Sequence, residues 1–384
     1  MKTELQKEFR DQFQKDAEHV FFCPGRVNLI GEHIDYNGGK VLPCAISLGT
    51  WIAIRKNKEK ELRFRSMNFP EVANLHLQSS YSKTGKEWFN YPLGVINELL
   101  HQGHCISGLD LLYYGNLPIG AGLSSSASIE MVTFFALNSI FDFKISLKEA
   151  ALLCKSVENK FIGVNSGIMD QFAVAMGKKN KAILLDCDSL EYEYIPFETA
   201  GHSLLIINSN KKRELADSKY NERFAECGAA LKALKVKLDI NNLCDIDPGV
   251  FEMNKQLISD PLLQQRAEHV INENARVNDA VIAMQVHDLE TFGKLLYASH
   301  RSLKELYEVS GKELDSIVEF CKNYPGCIGA RMTGAGFGGC AIALVRSDLV
   351  DDFQEKLISY YKKEIGYNPQ PFVSEIGDGV REMD

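Results

Sequence analysis

Apolar and polar positions alternate along this chain in runs short enough to mark individual strands and helices. Residues 1–17, MKTELQKEFRDQFQKDA, read as a charged amphipathic helix. HVFFCPG (19–25) is a short apolar strand stopped by Pro24-Gly25, which open a polar loop. KVLPCAISLGTWIAIRK (40–56) reads as paired strands with a break near Leu48-Gly49. GLDLLYYGN (108–116) predicts another strand, followed by a glycine-serine loop and a long apolar helix from about Ser126 to Ile140. KAILLDC (181–187), HSLLIINS (202–209) and CAIALV (340–345) are further strands, while 211–236 and 264–297 carry helical periodicity with little Gly or Pro. Such irregular alternation favours an α+β class over a doubly wound parallel sheet, with a soft domain boundary near residue 200.

Composition narrows the function classes. At 384 residues two domains are the natural expectation, and 45% hydrophobic with 24% charged residues is an ordinary globular balance. The net charge of −8 argues against binding nucleic acid or anionic membranes through a basic surface, but leaves room for a local pocket for a phosphorylated ligand. The polar N-terminus lacks the apolar core of a signal peptide, and no apolar run approaches a membrane span, so a cytoplasmic protein is expected. The ten cysteines include no CxxC pair, which weakens zinc and thioredoxin-like readings and suits small buried thiols in a reducing compartment. There are no repeats or low-complexity tracts.

Three polar, glycine-rich segments carry the candidate chemistry. GRVNLIGEHIDYNGG (25–39) packs Arg26, Glu32, His33, Asp35 and Tyr36 between glycines, more hydrogen-bonding groups than a surface turn needs. NLPIGAGLSSSAS (116–128) lies between a strand and a helix, so its amides and the positive helix end suit a phosphate. It is not a Walker A loop, and a serine N-cap with a glycine turn is the simpler alternative. RMTGAGFGGC (331–340) contains G-x-G-x-x-G but leads into a strand instead of a helix, which argues against a dinucleotide fingerprint. Its glycines are expected to let backbone approach a ligand or the 116–128 loop; a structural bulge competes. In ENKFIGVNSGIMDQF (158–172), Gly163 and Gly167 bracket a turn ending at Asp170-Gln171, where a lone Asp is more often a helix cap than a catalyst.

Together the segments resemble the three motifs of the GHMP kinase superfamily, and GRVNLIGEHIDYNGG is similar to the signature of the galactokinase family within it. SGIMDQF resembles that family's catalytic turn, DSKYNERFAEC (217–227) its tyrosine-bearing sugar segment, and RAEHVINENARV, SHRSLKELYEVS and GDGVREMD also look family-typical, so the resemblance covers nearly the whole chain. It implies an N-terminal domain (1–200) like ribosomal protein S5 domain 2, with a left-handed crossover. A ferredoxin-like C-terminal domain (201–384) would follow, with room for the last strand to return to the first domain and the active site in the cleft between them.

The resemblance also implies phosphoryl transfer from ATP to the anomeric hydroxyl of galactose. Glu32, His33, Asp35, Gly167 and Tyr220 would bind the sugar. Asp170 would sit beside the reacting hydroxyl, and Arg26 would keep Asp170 ionised and stabilise charge on the γ-phosphate. Gly120, Ala121, Gly122, Leu123, Ser124, Ser125 and Ser126 would hold the nucleotide phosphates, and Trp88 would pack on adenine unless it is a core tryptophan. Ser126 and Glu158 map onto Mg²⁺ ligands, an oxygen set suited to a hard cation. Galactose and MgATP are the expected partners of a monomer or weak homo-oligomer. One position departs from the commonest galactokinase pattern: Ile34 stands where many have Thr, as in N-acetylgalactosamine kinases. That sugar is the second candidate substrate, and a non-catalytic galactose and ATP sensor is the competing class. The intact Ser126-Ala127 pair, Arg26, Asp170 and Glu158 argue against the sensor.

Overall fold

The structure is a computed structural model that describes residues 1–118, 120–164, 166–211 and 216–383. Outside the described residues lie Ile119 of the glycine-serine loop, Asn165 of the 158–172 segment, 212–215 of the expected 211–236 helix and Asp384 of the terminal segment.

Thirteen strands among the described residues form three sheets. In chain order they are β1 (His19–Asn28), β2 (Lys40–Val41), β3 (Pro43–Asn57), β4 (Glu61–Ser66), β5 (Ala73–His76), β6 (Gly108–Gly115), β7 (Lys181–Asp186), β8 (Tyr192–Pro196), β9 (His202–Asn208), β10 (Cys327–Thr333), β11 (Cys340–Arg346), β12 (Gln370–Ser374) and β13 (Arg381–Glu382). The first sheet runs β13-β1-β3-β6-β4-β5, the second β2-β7-β8 and the third β10-β11-β9-β12. Among the described residues only β4 and β6 pair in parallel, so the mixed α+β expectation holds. The terminal strand β13 does return to β1, pairing Phe21 with Glu382 and Phe22 with Arg381.

Two expected elements are corrected. The break at Leu48-Gly49 is absent: β3 runs unbroken through it. Gly49 instead lies where the β1–β3 register shifts, the two-residue step from Pro24 to Arg26 facing the four-residue step from Gly49 to Ala45, so that β3 carries the bulge; a Cβ on Gly49 would overlap the Cys23 carbonyl. Glycine in a strand marks close backbone approach as readily as a turn. The helix expected over 264–297 is two helices, Pro261–Gln285 and Leu289–Glu305. His287 takes a left-handed φ of 57° between them, and Asp288 caps the second by accepting from Thr291 N at 3.0 Å.

The N-terminal amphipathic helix, Lys2–Phe13, buries Leu5 and Phe9 against Val20, Ala53 and Leu112 on the outer face of the first sheet. The inner face packs on the helices Asn90–His101 and Ser125–Phe141. A second, larger core joins the third sheet and the helices Pro261–Gln285 and Leu289–Glu305 to Val27, Leu29, Ile30 and Ile34. The polar 25–39 segment is thus anchored by apolar side chains in a core it shares with C-terminal elements, and that anchorage holds its polar groups still.

Candidate active site

The 25–39 segment is held from below by the helix Pro261–Gln285. Glu273 accepts from Gly31 N at 3.0 Å and from Ser299 Oγ at 2.6 Å, and receives Arg276 Nε at 2.7 Å. Burial alone would raise its pKa, but Arg276, His269 and Arg331 outweigh it and push it down to about 2. His269 Nε2 lies 3.2 Å from the Glu32 carbonyl, and Asn274 accepts from Lys40 N at 3.0 Å. These side chains belong to RAEHVINENARV, so that segment serves to clamp the loop.

The 331–340 segment closes over the same loop. Gly334 N and Thr333 Oγ1 donate to Glu32 Oε1 at 2.7 and 3.1 Å, and Arg331 Nη1 donates to the carbonyls of Asn28 and Leu29 at 3.0 and 3.1 Å. Arg331, Thr333, Gly334 and Ala335 thus bond the 25–39 segment, while Phe337 N donates to the Val309 carbonyl and Gly339 accepts from Ser209 N. His33, at a left-handed φ of 63°, has Nδ1 2.9 Å from Tyr36 Oη and Nε2 3.2 Å from the Ala335 carbonyl. Burial and the neighbouring His269 push its pKa down to about 3, so it is a neutral ring that donates at Nε2 and accepts at Nδ1. Both nitrogens therefore have protein partners.

On the opposite wall the helix Leu147–Ser156 runs into a π-helical turn, Val157–Ile162, closed by Gly163 at φ 89°. Such turns recur at functional sites. This one carries Glu158, whose Oε2 accepts from Gln171 Nε2 at 2.9 Å, with Ser126 and Ser166 also placed to hydrogen-bond it. The short helix Met169–Met176 starts beside it and presents Asp170. Arg26 donates to Asp170 Oδ1 and, through Nη1, to the Gly122 carbonyl at 2.7 Å. Ser124, at a left-handed φ of 60°, donates its hydroxyl to Asp170 Oδ2 at 2.6 Å. A non-glycine residue held there carries about 1–3 kcal/mol of strain, a feature that clusters at functional sites. Ser124 was expected among the phosphate groups; it lines the cleft, and its hydroxyl is bonded to the Asp170 carboxylate.

These walls enclose a cleft of about 320 Å³. It gathers Arg26, Glu32, His33, Asp35, Gly120, Gly122, Ser124, Ser125, Ser126, Glu158, Gly167, Asp170 and Tyr220, brought together from segments far apart in the chain. Ala121 and Leu123 are buried beneath the loop and do not line it. Trp88 lines an adjoining aromatic recess of about 170 Å³ with Phe69, Tyr91 and Tyr113, which shares Ser125 and Ser126 with the cleft. Its indole N–H is taken by the Glu71 carbonyl at 3.0 Å. Burial first, then the charges of Asp170 and Glu32, raise Asp35 from 3.8 to about 7. Gly167 passes so close that a Cβ would overlap the Asp35 carboxylate. Ile34 is wholly buried in the core and does not line the cleft.

Sequence reasoning missed Ser166, Met169 and Asn221 on the cleft wall, and the anchoring roles of Arg331 and Thr333. The RMTG run before the glycines was the only available sign of the last two. No group of three or more His, Cys, Asp or Glu suited to a metal occurs among the described residues. The Ser126 and Glu158 oxygens nonetheless fit Mg²⁺, which commonly takes one or two protein oxygens and completes its shell with phosphates and water.

A glycine-serine loop at a helix start, hydrogen-bonded to an Arg-paired aspartate in a cleft that Tyr220 and Gly334 of the C-terminal half also line, defines a small-molecule kinase of the GHMP type. Models of the GHMP kinases N terminal domain and the GHMP kinases C terminal domain match residues 90–178 and 280–363, and the galactokinase galactose-binding signature matches residues 7–56. A Clostridium tetani galactokinase is 50% identical over 99% of this chain and 97% of its own length, and an Enterococcus faecalis galactokinase is 48% identical over 100% of each. The Lactococcus lactis galactokinase, solved with galactose, superposes with a TM-score of 0.96 at 44% identity, covering 99% of both chains. A mevalonate kinase at 23% identity and TM-score 0.67 shares the fold. The chain belongs to the galactokinase family.

Proposed function

We propose that this chain transfers the γ-phosphoryl group of ATP to the anomeric hydroxyl of α-D-galactose, giving galactose 1-phosphate and ADP. The observation that carries this reading is the Arg26–Asp170 pair, set between the acidic 25–39 loop and the serine-rich helix start. The sugar C1 oxygen attacks the γ-phosphorus, the bond to the ADP oxygen breaks, and the hydroxyl proton passes to Asp170. A loose phosphoryl transition state demands little of the base, so orienting the hydroxyl is the larger part of that role. Arg26 stabilises charge on the transferring group. Glu32 keeps its second carboxylate oxygen for a sugar hydroxyl, since Oε1 is filled by Thr333 and Gly334. Asp35 and Tyr220 supply the other polar contacts, and His33 walls the pocket, with a direct sugar bond requiring displacement of one of its partners.

The amides from Gly120 to Ser126 receive the phosphates, and the Trp88 recess takes the adenine. Ser126 and Glu158 would hold Mg²⁺, which offsets charge repulsion between phosphate oxygens. A cytoplasmic setting, where ATP is available, belongs to the same reading; among the described residues no helix is long and apolar enough to cross a membrane. The position of Ile34 in the core removes the one feature that pointed to N-acetylgalactosamine. The test is ADP release with ATP and Mg²⁺ on galactose, N-acetylgalactosamine and glucose at equal concentrations. Turnover on galactose should far exceed the others; preferred turnover of N-acetylgalactosamine, or none by folded protein, would overturn the assignment.

A further inference from the structure

A run of hydrogen bonds leads to His33 from the C-terminal half of the chain. Cys227 Sγ lies 3.0 Å from Tyr307 Oη, Tyr307 Oη 2.8 Å from Tyr36 Oη, and Tyr36 Oη 2.9 Å from His33 Nδ1. Cys227, Tyr307 and His33 are all buried. Arg223 Nε donates to the Tyr307 carbonyl at 2.7 Å, and the Tyr307 ring packs on His33 with centroids 4.9 Å apart. The run has one workable direction. His33 Nε2 faces the Ala335 carbonyl, which can only accept, so the ring proton belongs there. Nδ1 is then an acceptor, and the single Tyr36 hydroxyl proton goes to it. Tyr36 in turn accepts from Tyr307, and Tyr307 accepts from the Cys227 thiol. The Asn37 amide, which donates to the His33 carbonyl at 3.0 Å, is also placed to give that sulfur a donor. Reversed, the run would set the Nε2 lone pair against the carbonyl and end on sulfur, a weak acceptor. A doubly protonated ring would permit reversal, but His33 is buried near Arg223 and Arg331, which oppose a charge there.

We propose that Tyr36 is a positioning residue: at the end of a one-way chain from Cys227 through Tyr307, it donates to His33 Nδ1 and so commits the Nε2–H group to the cleft as a donor. His33 and Ala335 both line the cleft, and their 3.2 Å contact is at the long end of the normal range. A hydroxyl is donor and acceptor at once, so one entering there accepts from Nε2–H and turns its own proton to the Ala335 carbonyl. Tyr36 stays on Nδ1 throughout, and the ring keeps its tautomer and angle when the sugar displaces Ala335. A sugar lacking that hydroxyl lets Nε2–H return to Ala335, so the loss is that of one ordinary hydrogen bond. The consequence for the sugar rests on the proposed function; the direction of the chain does not.

Two measurements test this. The first is nitrogen-15 NMR of the histidine rings, with His33 assigned by its loss in a His33→Gln variant. The unsubstituted protein should show a neutral His33 protonated at Nε2. Tyr36→Phe should move the Nδ1 resonance further from its protonated position, because its hydrogen bond is lost. A proton on Nδ1 in the unsubstituted protein, or an Nδ1 resonance unmoved in Tyr36→Phe, would overturn the proposal. The second is calorimetry of galactose and its deoxy analogues at C2, C3, C4 and C6, without ATP. In the unsubstituted protein, removing the hydroxyl that meets Nε2 should cost about 3–10-fold in affinity. In Tyr36→Phe that one cost should shrink while the other three stay as they were. Costs identical in both proteins would show Tyr36 acting through the fold alone and would overturn the positioning role. Should Tyr36→Phe fail to fold, Tyr307→Phe decides the direction: His33 keeping its proton on Nε2 supports the chain, and a proton gained on Nδ1 overturns it. Failure of the unsubstituted protein to bind galactose would count against the proposed function, and the ring resonances would still report the chain.

Discussion

Arg26 and Asp170, 144 residues apart in the chain, meet on a single carboxylate oxygen, Oδ1, with Arg26 Nε at 2.8 Å and Nη2 at 2.7 Å. Burial opposes the Arg26 charge, but Asp170, Glu32 and Asp35 together more than compensate, so its pKa rises. The guanidinium is therefore a permanent cation beside the proposed reaction centre, oriented further by the Gly122 carbonyl. Ser124 fixes the other oxygen, Oδ2, which leaves the carboxylate little rotational freedom.

Asp170→Asn separates charge from shape. The amide oxygen can still receive Arg26, and the Ser124 hydroxyl can turn to accept from the new N–H. The fold and sugar site should survive while turnover falls by about 10²–10⁴-fold, the usual contribution of a positioned proton acceptor. ADP release together with galactose calorimetry checks this; an active Asn variant would remove Asp170 from its proposed role.

Gly167→Ala tests the sugar side. No left-handed φ demands glycine there; the need is space, because an added methyl would overlap the Asp35 carboxylate. Displacing a buried side chain by overpacking costs about 1–3 kcal/mol. Since Asp35 is assigned to ground-state sugar binding, the loss should fall on KM for galactose, by about tenfold or more, with kcat less affected. A variant with unaltered KM would place Asp35 outside the sugar contacts.

Much of this site was legible in the sequence because its residues sit in short, unusual strings whose local order survives folding. The loop at 25–39, the serine helix start and the Asp170 turn all line one cleft. What was not legible depends on side-chain direction or on partners distant in sequence. Ile34 adjoins two cleft residues yet points into the core, since neighbours in a tight turn face different ways. Ser124 looks like its serine neighbours, and only its left-handed backbone aims its hydroxyl at Asp170. The missing break at Gly49 follows the same logic, because the glycine answers a close approach by β1 that local sequence does not encode.

Glu273 is the clearest case of an invisible partner: an acid in mid-helix by sequence, the buried anchor of the sugar loop in the fold. Its folded pKa is depressed from 4.5 to about 2, so its stabilisation is full above 4.5 and is lost as pH falls towards 2. A depression of this size corresponds to about 3 kcal/mol. Glu273→Gln should lower urea stability by about 2–3 kcal/mol at pH 7 and by clearly less at pH 3. A deficit that is independent of pH would show that the carboxylate charge is not what holds Gly31.

Asp35 has the opposite sign. Raised to about 7, it is protonated in the free protein over the range where an unfolded chain already ionises it. Its contribution to stability is therefore full below 3.8 and declines as pH rises towards 7. Donation from a sugar hydroxyl favours the ionised form, so galactose binding below pH 7 should expel a proton. Affinity should rise with pH by at most about tenfold per unit through that range and level off above it, once the carboxylate is ionised before the sugar arrives. Calorimetry at pH 6 in two buffers of different ionisation enthalpy reads the proton directly. A binding enthalpy that shifts between buffers at pH 6 but not at pH 8.5 is the expected result. An identical enthalpy in both buffers at pH 6 would mean that Asp35 keeps its protonation state when the sugar enters, and that the hydroxyl bonds to it as a neutral acid.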